Sequence, residues 1–188
     1  PVKEDGFSYT PETYHAVLDG SQSPHQPDYA DYGSFLNDPV YSLCDRLNHR
    51  TLDEVWLFGG PWMGFYESRL AGPGAFKMNA PVLALPGCER LLPIMGFNYE
   101  RGLESMLEDF AHRTEAVLTY AYGSWKQNRT MHAWDRFGLS AAQSPDYVYT
   151  GCGSVHYPPN ALLDYHYDHH SPVLSKCDEF LNYPNLSD

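Results

Sequence analysis

The sequence LLPIMGF at residues 91–97, and the amphipathic segment that follows it, decide the predicted fold. A short apolar run of this kind predicts a buried strand. Beyond it, apolar residues recur at spacings of three and four, which predicts one long helix over residues 100–122. The stripe consists of Leu103, Met106, Leu107, Phe110, Thr114, Val117, Leu118 and Ala121. We expect this helix face to lie at the centre of the core.

The opposite face of the predicted helix carries three acids around one histidine. Glu104, Glu108, His112 and Glu115 fall within an arc of roughly 80° at about 100° per residue. Solvated helix faces usually mix acids and bases four residues apart, so this concentration of like charge needs an explanation. Glu108, His112 and Glu115 form the pattern ExxxHxxE, in which side chains four residues apart can bind one ion together.

A structural interpretation of the same face is also open. Arg101 and Arg113 are close enough in sequence to pair with the acids of the helix. His112 would then bond a backbone carbonyl of a covering loop. Under this interpretation the helix face has no ligand and no chemical role.

The elements before this helix predict an α/β domain. Residues 35–50 have apolar residues at helical spacing, with Asp38-Pro39 suited to the N-cap and the first turn. Residues 51–58 predict a second buried strand, which ends at Gly59-Gly60-Pro61. Helix, strand, excursion, strand and helix is the order of a mainly parallel sheet with flanking helices. Functional sites in such sheets lie at the carboxyl ends of the strands, here residues 59–62 and 98–101.

The remaining segments are irregular. The 188 residues fit a single globular domain, with residues 1–34 as an irregular N-terminal arm. Residues 61–90 are rich in Pro, Gly and aromatic residues, and we interpret this long loop as functional. Residues 124–143 predict a second, shorter helix, and residues 144–188 a loop-rich C-terminal part. The chain opens at Pro1 without a Met, which is typical of a piece cut from a longer secreted chain.

Charge and motif content exclude several classes of function. Twelve basic and twenty-four acidic residues give a formal net charge of -12, which repels nucleic-acid backbones and anionic membrane surfaces. No run of about 18 apolar residues is present, so we expect no membrane insertion. The sequence contains no GxGxxG, no P-loop and no GxSxG, which leaves nucleotide binding and serine hydrolysis without support.

The cysteines and sequons favour an extracellular protein. The four cysteines are Cys44, Cys88, Cys152 and Cys177. They form no CxxC pair, so a zinc ribbon or a thioredoxin motif is excluded. We expect disulfides between Cys44 and Cys88 and between Cys152 and Cys177, which close loops of moderate length, although four unpaired core thiols are the alternative. Low lysine content and the sequons at Asn128 and Asn185 agree with secretion.

Two further residues complete the candidate site. His156 lies among glycines and prolines that restrict the backbone, and we favour it as the partner of His112 in a metal site. Imidazole with carboxylate suits zinc, copper or iron, whereas carboxylates with carbonyls suit calcium. Glu67 lies in the long loop, and with Glu108 or Glu100 it would form the carboxyl pair that glycoside hydrolysis requires. An ion pair of Glu67 with Arg69 or Arg101 is its structural alternative.

Several short motifs together resemble a family of mostly bacterial secreted proteins whose activity is uncharacterised. They are DEVW at residues 53–56, GGP at 59–61, GFYES at 64–68, AGPGAF at 71–76, MGFNYERG at 95–102 and HRTE at 112–115. The similarity covers roughly residues 1–185, and in the family it continues upstream of the residue matching Pro1. Some relatives have a histidine at the position of Glu108. The resemblance therefore implies secretion and favours a metal ligand at Glu108, but it implies no reaction.

Together these features predict an extracellular metal-dependent hydrolase that acts on a polysaccharide or cell-wall polymer. Glu108, His112 and His156 would bind a divalent ion, zinc or calcium, and Glu67 or Glu115 would move the proton. One alternative is a metal-free glycosidase with two catalytic carboxyl groups. Another is a non-catalytic module that binds glycans or the cell surface.

Overall fold

The computed structural model describes residues 1–123, 125, 132–143, 145–146 and 148–187. Its helices are α1 (Pro11–Leu18), α2 (Tyr32–Leu36), α3 (Leu43–Asn48), α4 (Leu103–Ala121) and α5 (Ala133–Gly138), followed by a 3-10 helix (Cys177–Asn182). Its strands are β1 (Val55–Gly59), β2 (Ser68–Ala71), β3 (Leu92–Asn98), β4 (Tyr149–Thr150) and β5 (Leu174–Ser175). The chain divides into a first unit, Pro1–Arg113, and a second unit, Thr114–Asp188.

The first unit contains a mixed three-stranded sheet in the order β1-β3-β2. β1 and β3 are parallel, with Val55 opposite Ile94, as the two predicted strands required. β2 is antiparallel to β3, with Ser68 opposite Met95. The prediction of a mainly parallel α/β sheet is therefore wrong. Parallel strands are usually joined through a crossover helix, whereas here the chain between β1 and β3 contributes an antiparallel strand instead.

The core of the first unit is formed by α2, α3 and β3. Leu47, Leu92 and Ile94 are completely buried in it, together with Tyr32 and Leu36. Cys44 in α3 is disulfide-bonded to Cys88, which confirms one of the two predicted pairings. This disulfide ties the helical part of the core to the segment that leads into β3.

Two short helices replace the single helix predicted for residues 35–50. α2 ends at Leu36 and α3 begins at Leu43, with a turn between them that contains Pro39. Proline disfavours the helical conformation of the residue before it, so the chain leaves the helix at this point. The arm predicted to be irregular likewise contains α1, whose N-terminus has a capping box between Thr10 and Thr13.

α4 agrees with the predicted long helix in its bounds but not in its burial. No residue of α4 is buried, and Leu103 and Leu107 are 67% and 58% exposed. The prediction that the apolar stripe lies at the centre of the core is therefore wrong. Helical periodicity shows that a helix is amphipathic, but it does not show how completely neighbouring elements cover the apolar face.

The second unit has little regular structure. α5 accounts for the described part of the shorter helix predicted over residues 124–143, while Met131 and the sequon at Asn128 lie outside the described residues. β4 and β5 form a parallel pair of two residues each. Cys152 is disulfide-bonded to Cys177, the second predicted pairing. Among the described residues, no helix has the length and apolar character needed to cross a bilayer.

Candidate functional site

A cleft of about 350 Å³ lies in the first unit where β1 and β3 end. Its walls come from the loop at residues 60–67, from the end of β3 at residues 96–98, and from α4 through Ser105, Met106 and Asp109. The expected meeting of the segments after β1 and β3 is confirmed, since residues 60–62, Asn98 and Arg101 all line this cleft. Its volume is at the lower end of the range of small-molecule sites, about 300–1,000 Å³.

The N-terminal arm holds the loop at residues 60–67, which we call the cleft loop. The ammonium group of Lys3 donates a hydrogen bond to the carbonyl of Trp62 and forms an ion pair of 2.5 Å with Asp28. The hydroxyl of Tyr14 donates to the carbonyl of Pro61 at 3.0 Å. The amide of Ala30 donates to the carbonyl of Gly64 at 3.0 Å. The arm therefore fixes the position of the cleft loop at three points.

Two glycines allow the cleft loop to approach its neighbours closely. Gly64 has a φ of 82°, and a Cβ there would lie 2.5 Å from the carbonyl oxygen of Asp28. A Cβ on Gly96 in β3 would lie 2.4 Å from the carbonyl oxygen of Tyr66. Larger residues at these positions would push the cleft loop away from the arm and from the sheet.

Two carboxyl groups line the cleft, those of Glu67 and Asp109. Glu67 accepts a hydrogen bond from the side-chain amide of Asn79, and it forms no ion pair with Arg69 or Arg101 among the described residues. Arg69 instead lies over the rings of Tyr32 and Tyr66. Burial and, next, the negative charges of Glu67 and Glu108 raise the pKa of Asp109, against the opposing effect of His112 and Arg101, and the resulting pKa is about 7.

Among the described residues, neither Arg101 nor Arg113 forms the ion pair with the α4 acids that the structural interpretation requires. Arg113 forms an ion pair of 2.7 Å with Glu54, a residue just before β1. Burial raises the pKa of Glu54, but hydrogen bonds from Arg113 and Trp56 outweigh that effect and lower it below its usual value. Arg101 lines the cleft. On α4 itself, His112 Nε2 lies 4.0 Å from Glu108 Oε1, as expected for side chains four residues apart.

His156 is held by its own surroundings in the second unit. Its Nδ1 lies 3.3 Å from Asp164 Oδ1, and its ring stacks on Tyr165 with a centroid distance of 3.9 Å. A carboxylate at one ring nitrogen orients a histidine so that the other nitrogen can bind a metal. Glu115 accepts a hydrogen bond of 2.8 Å from the amide of Val155, so its carboxylate positions the segment that carries His156.

Two of the three metal ligands predicted from the sequence, Glu108 and His112, lie together on α4. Their ligand atoms are 4.0 Å apart and both residues are half-buried, so this pair can bind one metal ion. His156, the third predicted ligand, lies in the second unit and is also half-buried. Glu115, the third residue of the helical pattern, bonds the Val155 amide, and Glu67 lines the cleft.

Sequence reasoning missed Asp109 and Trp62. Asp109 is next to Glu108 in sequence and, at about 100° per residue, lies at the boundary between the polar face and the apolar stripe. A carboxylate beside the stripe was the available signal, although a weak one. Trp62 was recognised only as part of the segment after the first strand, and its left-handed backbone, with a φ of 60°, has no sequence signal.

No protein-family model matches the chain, and comparisons with curated proteins and with solved structures gave no match either. The candidate function therefore rests on the chemistry of the side chains described above.

Proposed function

We propose that this chain is a metal-dependent hydrolase that acts outside the cell on a polysaccharide or cell-wall polymer. The observation that carries the proposal is the pair of ligand atoms on one face of α4, Glu108 Oε1 and His112 Nε2, which lie 4.0 Å apart. We propose His156 as the third ligand. The contact between His156 and Asp164 supports it, because metal-binding histidines usually donate their second ring N–H to a carboxylate or a carbonyl.

The ligand chemistry favours zinc over calcium. Two imidazoles and one carboxylate are typical zinc ligands, whereas calcium takes six to eight oxygen ligands. Three protein ligands also match catalytic zinc sites, which keep a further position for water or substrate. A bound zinc ion would lower the pKa of water towards about 7 and polarise the group to be cleaved.

The proton transfer falls to residues of the chain itself. Hydrolysis joins the water oxygen to the electrophilic carbon, breaks the bond from that carbon to the leaving oxygen, and moves one proton from the water to the leaving oxygen. Of the two predicted proton carriers, Glu67 lines the cleft, and we assign the transfer to it. Glu115 bonds the Val155 amide, and we assign it the positioning of the His156 segment.

A second candidate function is a metal-free glycosidase. It is favoured by the presence of Glu67 and Asp109 in one cleft, since glycoside hydrolysis uses a pair of carboxyl groups. Asp109 takes the place of the partners expected from the sequence, Glu108 and Glu100. Under this mechanism one carboxylic acid protonates the leaving oxygen, and the other carboxylate activates water or attacks the sugar.

Extracellular localisation is part of the proposal. The two disulfides, Cys44–Cys88 and Cys152–Cys177, fit an oxidising compartment such as the exterior of the cell. An acidic protein with a net charge of -12 is suited to uncharged polymers better than to anionic ones.

Metal uptake tests the main proposal. Purified protein is stripped with a chelator, and its melting temperature is measured with zinc and with calcium. Zinc at about one hundred times its Kd should raise the melting temperature by roughly 5–10 °C. His112→Ala and His156→Ala should abolish this rise. Asp164→Asn should weaken zinc binding about 10- to 100-fold.

The chain offers a matched control for these variants. His49 lies 3.2 Å from Asp45 four residues earlier, and both side chains are exposed. His49→Ala thus removes an equivalent helical acid–histidine pair, and the zinc response should stay unchanged. The proposal is contradicted if zinc does not raise the melting temperature at all. It is also contradicted if His49→Ala reduces this rise as much as His112→Ala does. Hydrolysis that survives the chelator but not Glu67→Gln or Asp109→Asn establishes the metal-free candidate instead.

A further inference from the structure

The cleft of the first unit combines aromatic surface with hydrogen-bonding atoms. Trp62, Phe65, Tyr66 and Phe97 line it, and Tyr66 stacks on Tyr29 with a centroid distance of 5.0 Å. An aromatic lining with a few polar groups is typical of sites that bind a small molecule or one unit of a polymer. The polar groups decide which molecule fits.

The polar atoms of the cleft suit hydroxyl groups. The amide of Glu100 donates to Asn98 Oδ1 at 3.0 Å, which fixes the side chain and leaves its NH₂ group without a partner among the described residues. Asn79 bonds one oxygen of Glu67, and the second oxygen has no partner within the described part of the chain. A fixed amide donor and a carboxylate acceptor are complementary to a molecule that both donates and accepts, as sugar hydroxyls do.

Charge narrows the class of ligand. Asp28, Glu67 and Asp109 line the cleft against a single cation, Arg101. Because Asp28 is paired to Lys3 and Glu67 lines the same cleft as Arg101, the lining residues supply no excess of cationic groups. The cleft therefore does not favour an anionic ligand, whereas an uncharged ligand needs no opposite charge.

Trp62 is presented to the cleft by a rigid support. The side chain is 45% exposed, and its residue has a left-handed backbone that non-glycine residues rarely adopt. The completely buried Lys3 donates a hydrogen bond to the carbonyl of Trp62, and the hydroxyl of Tyr14 donates one to the carbonyl of the neighbouring Pro61. Strain of this kind persists only where the surrounding contacts enforce it, and it is concentrated at functional positions.

We infer that this cleft is a subsite for one uncharged sugar ring, that the indole of Trp62 is its stacking platform, and that Lys3 is a positioning residue for that platform. One face of a pyranose ring carries mainly C–H groups, which pack on the aromatic face while the hydroxyls at the rim bond Asn98 and Glu67. The inference deepens the proposed function, on which it rests for the class of polymer.

Sugar binding to the chain of 188 residues, after treatment with a chelator, tests the inference without any metal. The probes are cellotetraose and chitotetraose, with tetragalacturonate as an anionic probe, and binding is followed by calorimetry. At least one neutral probe should bind with a Kd of about 1 mM or tighter, and tetragalacturonate should bind about tenfold more weakly or not at all. Trp62→Leu should weaken the binding of the neutral probe about tenfold or more.

Trp56 supplies the matched control. Its side chain is 46% exposed, nearly the same as that of Trp62, but it does not line the cleft. Trp56→Leu should leave binding unchanged. Trp62→Gly removes the ring and also relieves the left-handed strain, so it should abolish binding without a large fall in melting temperature. Lys3→Met should weaken binding to the same probe although it leaves Trp62 in the chain.

The possible outcomes separate the inference from the proposed function. Failure of both neutral probes to bind up to about 10 mM, equal binding of tetragalacturonate, or equal effects of the two Trp→Leu variants would each overturn the inference. If sugar binding depends on Trp62 but zinc does not raise the melting temperature, the sugar subsite stands and the metal-dependent mechanism is wrong. If zinc raises the melting temperature but no sugar binds, the metal site stands and the sugar subsite is wrong.

Discussion

The cleft loop at residues 60–67 and the segment at residues 151–170, which we call the histidine segment, are both irregular, yet different forces hold them. The cleft loop depends on partners far away in sequence, namely Lys3, Tyr14 and Ala30. The histidine segment depends on the disulfide between Cys152 and Cys177, on the carboxylate of Glu115 and on backbone hydrogen bonds to residues 137–142, as well as on contacts within itself. Irregular structure can thus be positioned either by burial against a folded core or by covalent and local bonds.

The histidine segment also has several hydrogen bonds between its own residues. The amide of Tyr165 donates to the carbonyl of His156 at 2.9 Å, and the hydroxyl of Tyr167 donates to the carbonyl of Val155 at 2.6 Å. Ser154 and Tyr157 exchange backbone hydrogen bonds. We therefore expect the histidine segment to keep its conformation under conditions that release the cleft loop. When its disulfide is broken, we expect the histidine segment to loosen while the cleft loop keeps its position.

Removing the disulfides should produce the largest effects. Cys44→Ser/Cys88→Ser opens a loop with a sequence separation of 44 and should cost about 4 kcal/mol of unfolding free energy. Cys152→Ser/Cys177→Ser opens one of 25 and should cost about 3.5 kcal/mol. Urea denaturation measures both. Only the second variant should also weaken zinc binding, and equal zinc affinities in the two variants would show that the histidine segment does not need its disulfide.

Alkaline pH should release the cleft loop. Tyr32 accepts a hydrogen bond of 2.8 Å from the amide of Tyr66, and burial raises the pKa of Tyr32 to about 12. The phenol of Tyr32 therefore holds its proton more tightly in the folded state than in the unfolded state, where the pKa of tyrosine is about 10. The resulting stability is complete below pH 10 and is lost as the pH rises towards 12, by about 2–3 kcal/mol.

Denaturation curves between pH 9 and 12 measure this loss, with Tyr32→Phe as the comparison. The variant loses the hydrogen bond from Tyr66, so it should be less stable at neutral pH. Its stability should fall less steeply above pH 10, because the buried phenol no longer titrates. Parallel curves for the two proteins would contradict the assignment to Tyr32.

The smallest effect should come from Glu115. Glu115→Ala removes the acceptor for the Val155 amide and should cost about 1.5–3 kcal/mol of local stability at most. It should weaken zinc binding about tenfold by loosening the support of His156. Glu115→Gln keeps an acceptor oxygen and should bind zinc almost normally. If Glu115→Gln instead abolishes hydrolysis while zinc affinity is unchanged, Glu115 and not Glu67 is the proton carrier.

The elements that the sequence predicted correctly are those defined by local patterns. β1, β3 and the bounds of α4 follow from apolar runs and helical spacing, and the disulfide pairing follows from loop length. β2 was missed because Ser68 and Arg69 are polar although both are buried. Arg69 is stabilised there by the rings of Tyr32 and Tyr66 and by the carbonyl of Pro81, partners that no local pattern shows.

In the candidate site, too, the part that follows from a local pattern was predictable from the sequence. Glu108 and His112 are four residues apart on one helix, so their proximity follows from helical geometry. His156 was proposed from backbone restriction, and its role as the third ligand stays a prediction. The cleft itself was not predictable in detail, because Asp109 and Trp62 reach it through contacts with residues up to 59 positions away in sequence.

The buried ammonium group of Lys3 makes the support of the cleft loop open to direct chemical observation. Its amine is enclosed by Asp28 and the carbonyl of Trp62, so an acylating reagent can reach it only when the arm lifts from the loop. The rate at which Lys3 is labelled, followed by mass spectrometry, therefore reports how often the arm opens. A bound sugar that presses on Trp62 should slow this labelling, which makes the lysine a built-in reporter of cleft occupancy.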